Sequence, residues 1–141
     1  MRVPTLDEVF EAVGQKLYIN VEIKSISPTT DGVEQVVADV IAKFNLQNRV
    51  IVSSFNPLTL KRFREILPEV AIGFLYAMDM TVDTQKIMYD LNLPYEAVHP
   101  YHSMIDAVYM QSAKSAGYRV NTWTVNDPEQ AVKLRDLGVD C

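Results

Sequence analysis

Stretches patterned as β-strands alternate with stretches patterned as amphipathic helices along this chain, and that alternation limits the possible folds more than any other feature. Thr5-Leu6-Asp7-Glu8 has the form of a capping box, and Leu6, Val9, Phe10 and Val13 follow at helical spacing as far as Gly14. A first strand is predicted over Leu17–Lys24. The polar turn Ser25–Gly32 leads into a helix over Val33–Phe44, whose Val33, Val36, Val37, Val40, Ile41 and Phe44 share one face. Arg49–Ser54 has the composition of a second strand. Asn56-Pro57 then supplies an N-cap and a proline at the first helical position for a helix reaching Leu67. Val70–Tyr76 is a third strand, a short helix is expected near Asp83–Leu91, and Tyr95–His99 is a fourth strand. Ser103 is read as the cap of a helix that reaches Ala116 and stops at Gly117. Arg119–Val125 is a fifth strand. Asp127-Pro128-Glu129 opens a last helix that ends before Gly138, and Val139-Asp140-Cys141 has the pattern of the start of a sixth strand.

Each strand–helix pair has the size of one βα unit, and no linker, low-complexity run or charge block divides the chain. Residues 1–141 are therefore expected to form one α/β domain with parallel strands. The units share no motif, so the repeat is architectural. A doubly wound sheet and a (β/α)₈ barrel both fit this pattern. Two points favour the barrel. No Gly-rich phosphate loop follows any strand, and polar residues recur at the C-terminal strand ends: Glu22 and Lys24, Ser53 and Ser54, Tyr76, His99, Trp123 and Asn126. In a barrel those ends meet on one face, where active sites sit. A closed barrel takes eight strands and about 250 residues. Five strands and the start of a sixth imply a partial TIM barrel, an incomplete domain over residues 1–141.

Composition narrows the function. Apolar residues make up 48% of the 141 and charged residues 22%, as in ordinary globular proteins. The net charge of -5 and pI of about 4.9 leave no basic stripe for a nucleic-acid backbone, so nucleic acid is not an expected partner. An anionic small molecule would need local cations or a metal. The one cysteine, Cys141, permits neither an internal disulfide nor a zinc cluster. Met1-Arg2-Val3-Pro4-Thr5 has no apolar signal-peptide core, which favours a cytoplasmic location, and the apolar run Val70–Met78 is too short to span a bilayer.

The segment Tyr18-Ile19-Asn20-Val21-Glu22-Ile23-Lys24 concentrates the chemistry. Alternation sends Asn20, Glu22 and Lys24 to one side of the strand and Ile19, Val21 and Ile23 to the other. In a strand covered on both sides, a Glu and a Lys are costly unless paired or engaged by a metal or anion. A Glu can ligate a divalent cation and a Lys can meet a phosphate. The same two residues could equally form a plain ion pair at a strand end. Ser53 has no Gly-x-Ser-x-Gly elbow around it and is read as a hydroxyl that bonds backbone. His99 and His102 flank Pro100 and are read as loop or pocket-rim residues ahead of a metal pair. Asn121, Trp123 and Val125 are placed inward and Val120, Thr122 and Thr124 toward the helices. An Asn beside an inward Trp favours a pocket over an oily core. Met78, Met80 and Met104 are read as filler.

Taken together, four stretches resemble the glycerophosphodiester phosphodiesterase family: Val3-Pro4-Thr5-Leu6-Asp7-Glu8-Val9, Asn20-Val21-Glu22-Ile23-Lys24, Val52-Ser53-Ser54-Phe55 and Val120-Asn121-Thr122-Trp123-Thr124-Val125-Asn126-Asp127. Leu137-Gly138-Val139-Asp140 is similar to the family's approach to its final strand. The resemblance implies a (β/α)₈ barrel that hydrolyses glycerophosphodiesters to glycerol 3-phosphate and an alcohol with a divalent metal, Mg²⁺ or Ca²⁺. It implies Glu22 as a metal ligand, Lys24 as the catalytic cation on the phosphate side, and Trp123 as an aromatic wall of the substrate pocket. His99 joins it as a substrate-binding residue, with His99 or Tyr76 at the pocket rim.

The sequence also departs from the family. The family's first two strands carry a histidine, an Asn-containing loop, a Glu-x-Asp metal pair and a second histidine, the histidines being its acid–base pair. No histidine precedes Glu22 here. The chain is therefore expected to correspond to the middle and C-terminal part of such an enzyme and to be inactive by itself. The alternative is a non-catalytic barrel segment that at most binds a phosphate-containing ligand. The small-molecule diester is the expected partner, and open sheet edges make self-association a second expectation.

Overall fold

The computed structural model describes residues 2–80, 87 and 90–141. The elements follow the sequence closely: α1 (Leu6–Val13), β1 (Ile19–Glu22), α2 (Val33–Lys43), β2 (Val50–Ser54), α3 (Pro57–Ile66), β3 (Ala71–Tyr76), β4 (Ala97–Pro100), a 3₁₀ turn (His102–Met104), α4 (Ala107–Ser115), β5 (Arg119–Val120) and α5 (Pro128–Asp136). The helix expected near Asp83–Leu91 falls largely outside the described residues.

The caps explain most boundaries. Thr5 Oγ1 accepts from the Glu8 backbone N–H, and the Glu8 carboxylate accepts from Thr5 N–H at 2.9 Å, so the capping box is closed in both directions. Asn56 Oδ1 accepts from Leu58 N–H at 3.0 Å with Pro57 beside it, and Asp127 Oδ1 accepts from Glu129 N–H at 3.1 Å with Pro128 beside it. One cap is corrected. Ser103 lies inside the 3₁₀ turn, and α4 is capped by Asp106, whose carboxylate accepts from Tyr109 N–H at 2.7 Å. An ionised carboxylate is the stronger acceptor for an orphan N–H, and the Asp three residues on displaces the Ser. Gly14 ends α1 in a right-handed conformation. A Cβ there would sit 2.7 Å from the Leu46 methyl, so close packing, not a left-handed turn, demands the glycine.

Among the described residues the strands form a parallel sheet in the order β1-β2-β3-β4-β5. Sequential order decides between the two architectures. Right-handed crossovers between strands laid down in one direction put every helix on the same side of the sheet. A doubly wound sheet reverses its order and carries helices on both sides. This is the partial barrel. Its core lies between sheet and helices: Ile23, Val50, Val52, Ile72 and Phe74 from the strands pack with Phe10, Val37, Ile41, Leu60 and Phe63 from the helices. A second cluster joins Val98 and Val120 to Met110, Ala113 and Leu134.

Two expectations about strands need adjustment. The fifth strand is paired over Arg119–Val120, and pairing resumes only at an isolated bridge between Tyr101 and Trp123. Beyond it, Val125 packs against the helix-side cluster, so the expected alternation does not extend past Trp123. Val139–Cys141 is not a strand, yet it runs along β5, with Asp140 N–H donating to Val120 O at 2.8 Å and Thr122 N–H donating to Cys141 O at 2.7 Å.

A buried clasp ties the turn after β1 to α3. Glu34 on α2 is 1% exposed and accepts from Arg62 Nε at 2.7 Å and from Thr30 Oγ1 at 2.5 Å. Arg62 also donates to Pro28 O and Thr59 Oγ1. Burial pushes the Glu34 carboxyl up, but the hydrogen bonds from Thr30, its own backbone and Arg62 outweigh burial and hold it below the usual range. Arg62→Ala would leave that carboxylate buried and unpaired. Chemical denaturation should then show a loss of about 3–5 kcal/mol, while Arg135→Ala, at an exposed ion pair, should cost under about 1 kcal/mol.

No helix among the described residues is long and apolar enough to cross a membrane. The outer edge of β1 pairs with no strand among the described residues. Unpaired edges are templates for association. Sedimentation across a concentration series should show species that grow with concentration. A monomer at every concentration, with a concentration-independent thermal midpoint, would contradict this.

Candidate functional site

Strand register assigns the site face. Residues paired across parallel strands share a side, and the pairs Glu22–Ser53, Ser53–Gly73, Gly73–Ala97 and Leu75–His99 all lie on the face opposite the helix-packed core. Alternation extends this side to Lys24, Phe55, Asn121 and Trp123, and the Tyr101–Trp123 bridge adds Tyr101. The face is concave. Phe55 follows β2 and Trp123 follows β5, three strand spacings or about 14 Å apart in a flat sheet. Their rings nevertheless meet edge to face with centroids 5.3 Å apart. Tyr101 completes the aromatic group, 5.1 Å from Trp123.

Glu22 and Lys24 stand at the end of β1, 3.9 Å apart at their closest charged atoms. The Lys24 side chain is 81% exposed and that of Glu22 31%. The premise of a strand covered on both sides does not hold, because Asn20, Glu22 and Lys24 are exposed on their side of β1. An exposed pair at this distance contributes little to stability, so both groups remain available to a ligand.

Trp123 is held by its indole N–H, which donates to the His99 backbone oxygen at 2.9 Å. His99 itself is 4% exposed and lies on the floor of the concavity, not at a rim. Its Nε2 is 3.1 Å from Asn121 Nδ2. Burial pushes the His99 imidazole down to about 4, so the ring is neutral at physiological pH. Tyr76 is not at the rim either. It faces the helix layer, stacks with Phe74 and hydrogen-bonds Tyr109 through its hydroxyl, because it shares its side with Phe74 and Pro100. His102 is separate from His99, packing on Tyr101 with its Nδ1 2.6 Å from Gln130 Nε2.

Backbone bonding, expected of Ser53, belongs to its neighbour. Ser54 bonds backbone, donating to Ile23 O at 2.7 Å, whereas the Ser53 hydroxyl is fully buried on the concave side with no hydrogen-bond partner among the described residues. One residue of register separates the two outcomes. Sequence reasoning passed over Tyr101 and Gly73 as site residues. Period-2 counting from Trp123 and Glu22 through the paired strands would have found both, but it requires the register, which no single strand carries.

Ca²⁺ takes six to eight oxygen ligands. Glu22 offers one carboxylate beside the Lys24 ammonium, and no group of three potential ligand side chains occurs among the described residues. These residues by themselves do not make a cation site. A cleft of about 410 Å³ opens where the ends of β1 to β3 meet α3, lined by Ser25, Ile26, Phe55, Asn56, Leu58 and Met80 among others.

A family model described as the glycerophosphoryl diester phosphodiesterase family matches residues 1–141. A glycerophosphodiester phosphodiesterase of Caldanaerobacter subterraneus is 32% identical over 140 residues, an alignment covering 99% of this chain and 56% of that protein. An Oleispira antarctica phosphodiesterase, solved in complex with the product sn-glycerol-3-phosphate, is 28% identical with a TM-score of 0.76, over 97% of this chain and 55% of that one. A glycerophosphodiester phosphodiesterase from Parabacteroides distasonis shares the fold at a TM-score of 0.73 and 19% identity, over 97% of this chain and 58% of its own. The chain spans a little over half the length of the curated relatives it matches.

The buried imidazole makes a pH-dependent contribution of definite sign. As pH falls, the unfolded chain protonates His99 near 6.5 while the folded ring resists to about 4. Folding stability should therefore decline between those values by about 3 kcal/mol and level off below them. The difference in stability between the parent and His99→Gln, measured from pH 7.5 to 4, should carry this slope. A flat difference would show that His99 is not held neutral.

Proposed function

The chain belongs to the glycerophosphoryl diester phosphodiesterase family, and we propose that it forms the part of such an enzyme's active face that holds the phosphate and glycerol of a glycerophosphodiester. The reaction is hydrolysis to glycerol 3-phosphate and an alcohol. The observation that carries this reading is the common face of Glu22, Lys24 and Trp123 at the C-terminal strand ends, where barrel enzymes keep their chemistry. Lys24 is the cation that meets a phosphoryl oxygen and offsets the charge developing there. Trp123, with Phe55 and Tyr101 against it, is the wall for the glycerol carbons. His99 supports the substrate side from beneath it. The glycerol 3-phosphate bound by the Oleispira relative supports the choice of that molecule as the probe.

Glu22 is proposed to give one oxygen to a divalent cation, Mg²⁺ or Ca²⁺, whose other ligands must come from outside the set described above. Such a cation, when bound, polarises the phosphoryl group. The rest of the contribution from this chain is binding and orientation. General acid–base catalysis contributes about 10²–10⁴-fold in enzymes that have it, and the two histidines of the chain are engaged elsewhere, His99 with Asn121 and His102 with Gln130. A second reading, a phosphate-binding segment without catalysis, is favoured by the lack, among the described residues, of any group of three side chains that could hold a metal ion.

Two measurements test what both readings expect of these 141 residues. The 141 residues alone should hydrolyse glycerophosphocholine no faster than buffer with metal. Metal-dependent turnover abolished by Glu22→Ala would overturn that expectation. The chain should bind sn-glycerol 3-phosphate, and Lys24→Ala should weaken binding by at least about tenfold, as loss of a charge-assisted hydrogen bond does. Binding that ignores Lys24→Ala, or no binding at all, would remove the phosphate-holding role.

A further inference from the structure

We propose that His99 is a positioning residue that acts through Asn121 and Trp123, and that Gly73 is the seat that allows it. The inference rests on the reading of Trp123 as the glycerol-side wall.

The position of the imidazole is unusual for its register. His99 pairs with Leu75, yet its ring leans back over Gly73, one step earlier on the facing side of the neighbouring strand. A Cβ at residue 73 would lie 2.3 Å from His99 Nε2 and 2.7 Å from Cδ2. Real Cβ contacts do not come so close, so only glycine leaves room for the ring. Gly73 is a costly choice in a strand interior, and a close approach of this kind is the usual reason for one. From that seat Nε2 lies 3.1 Å from Asn121 Nδ2 on the β5 side. The backbone oxygen of the same residue accepts the Trp123 indole N–H at 2.9 Å. One residue of β4 therefore holds both inward side chains of the segment after β5, Asn121 by its ring and Trp123 by its carbonyl.

Chemistry restricts what could replace it. Near-complete burial puts the ring out of reach of a ligand, so its effect must pass through its neighbours. With the Asn121 amide donating, Nε2 accepts and the ring proton is on Nδ1. A phenyl ring would fill the same space but leave the Asn121 amide without its acceptor. An aliphatic side chain would lose both functions. Neutrality of the ring, maintained by burial, keeps the acceptor lone pair free.

The single tryptophan of the chain, Trp123, makes the test direct, because all indole emission reports this site. His99→Phe keeps a ring on Gly73 and removes only the acceptor. The backbone oxygen of residue 99 still accepts the indole N–H, but Asn121, two residues before Trp123, loses its anchor on the ring, so the variant should shift the Trp123 emission and weaken binding of sn-glycerol 3-phosphate by about tenfold, with the thermal midpoint close to that of the parent. Gly73→Ala should produce the same shift by displacing the ring. In a His99→Ala background, Gly73→Ala should add little, since the ring it displaces is already gone. His99→Phe with parental emission and affinity would reduce His99 to packing and overturn the proposal. Independent, additive effects of Gly73→Ala and His99→Ala would overturn the role of the seat. Should Gly73→Ala not fold, His99→Phe decides alone. If the parent itself shows no binding of sn-glycerol 3-phosphate, the reading of the wall fails, and the emission of the ligand-free variants still decides whether His99 positions Trp123.

Discussion

Parallel hydrogen bonding in sequential register is the constraint from which the rest of this molecule follows. The pairs Ile19–Val50, Ile51–Ala71, Gly73–Ala97 and Ala97–Arg119 advance without reversal from one strand to the next. With right-handed crossovers, all helices then cover one side. That side takes the main apolar core, and the other half lies outside it, buried at Ser53, Leu75, Ala97 and His99 and exposed at Glu22 and Lys24. Glu22, Lys24, His99, Asn121 and Trp123 can occupy this other half because none of them is needed in the main core. A slip of one residue would exchange the two sets and bury the charges.

The concave side is shaped by rings more than by charges. The contact of Phe55 with Trp123 spans the intervening strands, and Tyr101 braces Trp123 from the β4 side. Edge-to-face pairs of this kind are worth about 0.5–1.5 kcal/mol beyond their area, enough to favour one arrangement of side chains that are only partly covered. The charged end of the face is held differently. Glu22 and Lys24 have no tight partner, while the turn that follows them is fastened by Asn56 donating to Ser27 O at 2.9 Å and by Arg62 donating to Pro28 O at 3.2 Å. The turn is thus held by neutral and cationic donors to its backbone oxygens, while the Lys24 ammonium before it stays largely exposed in a long contact with Glu22.

Fold class was legible in the chain because local rules agree with one another. Capping residues at Thr5, Asn56 and Asp127, the β-branched run at Val50–Ser54 and the apolar and aromatic run at Ala71–Tyr76 all point to the observed elements. The site was legible in part. Glu22, Lys24 and Trp123 stood out as polar or bulky residues at strand ends. Tyr76 met the same criterion and faces the other way, because its hydroxyl finds Tyr109 on α4. Ser53 and Ser54 were indistinguishable as neighbours of one type, and only their faces separate them.

By itself, then, the amino-acid order determined which segments become strands and helices, that the strands run parallel, and which polar residues fall at strand ends, since propensity, capping and alternation act within a few residues. Tertiary structure decided which of those residues meet. The seat of His99 on Gly73, the reach of Trp123 to the His99 carbonyl and to Phe55, and the exposure of Glu22 and Lys24 on an edge strand all depend on pairings between segments twenty or more residues apart. Those pairings are set by the packing of the whole sheet against its helices, a quantity that no local window of the chain contains.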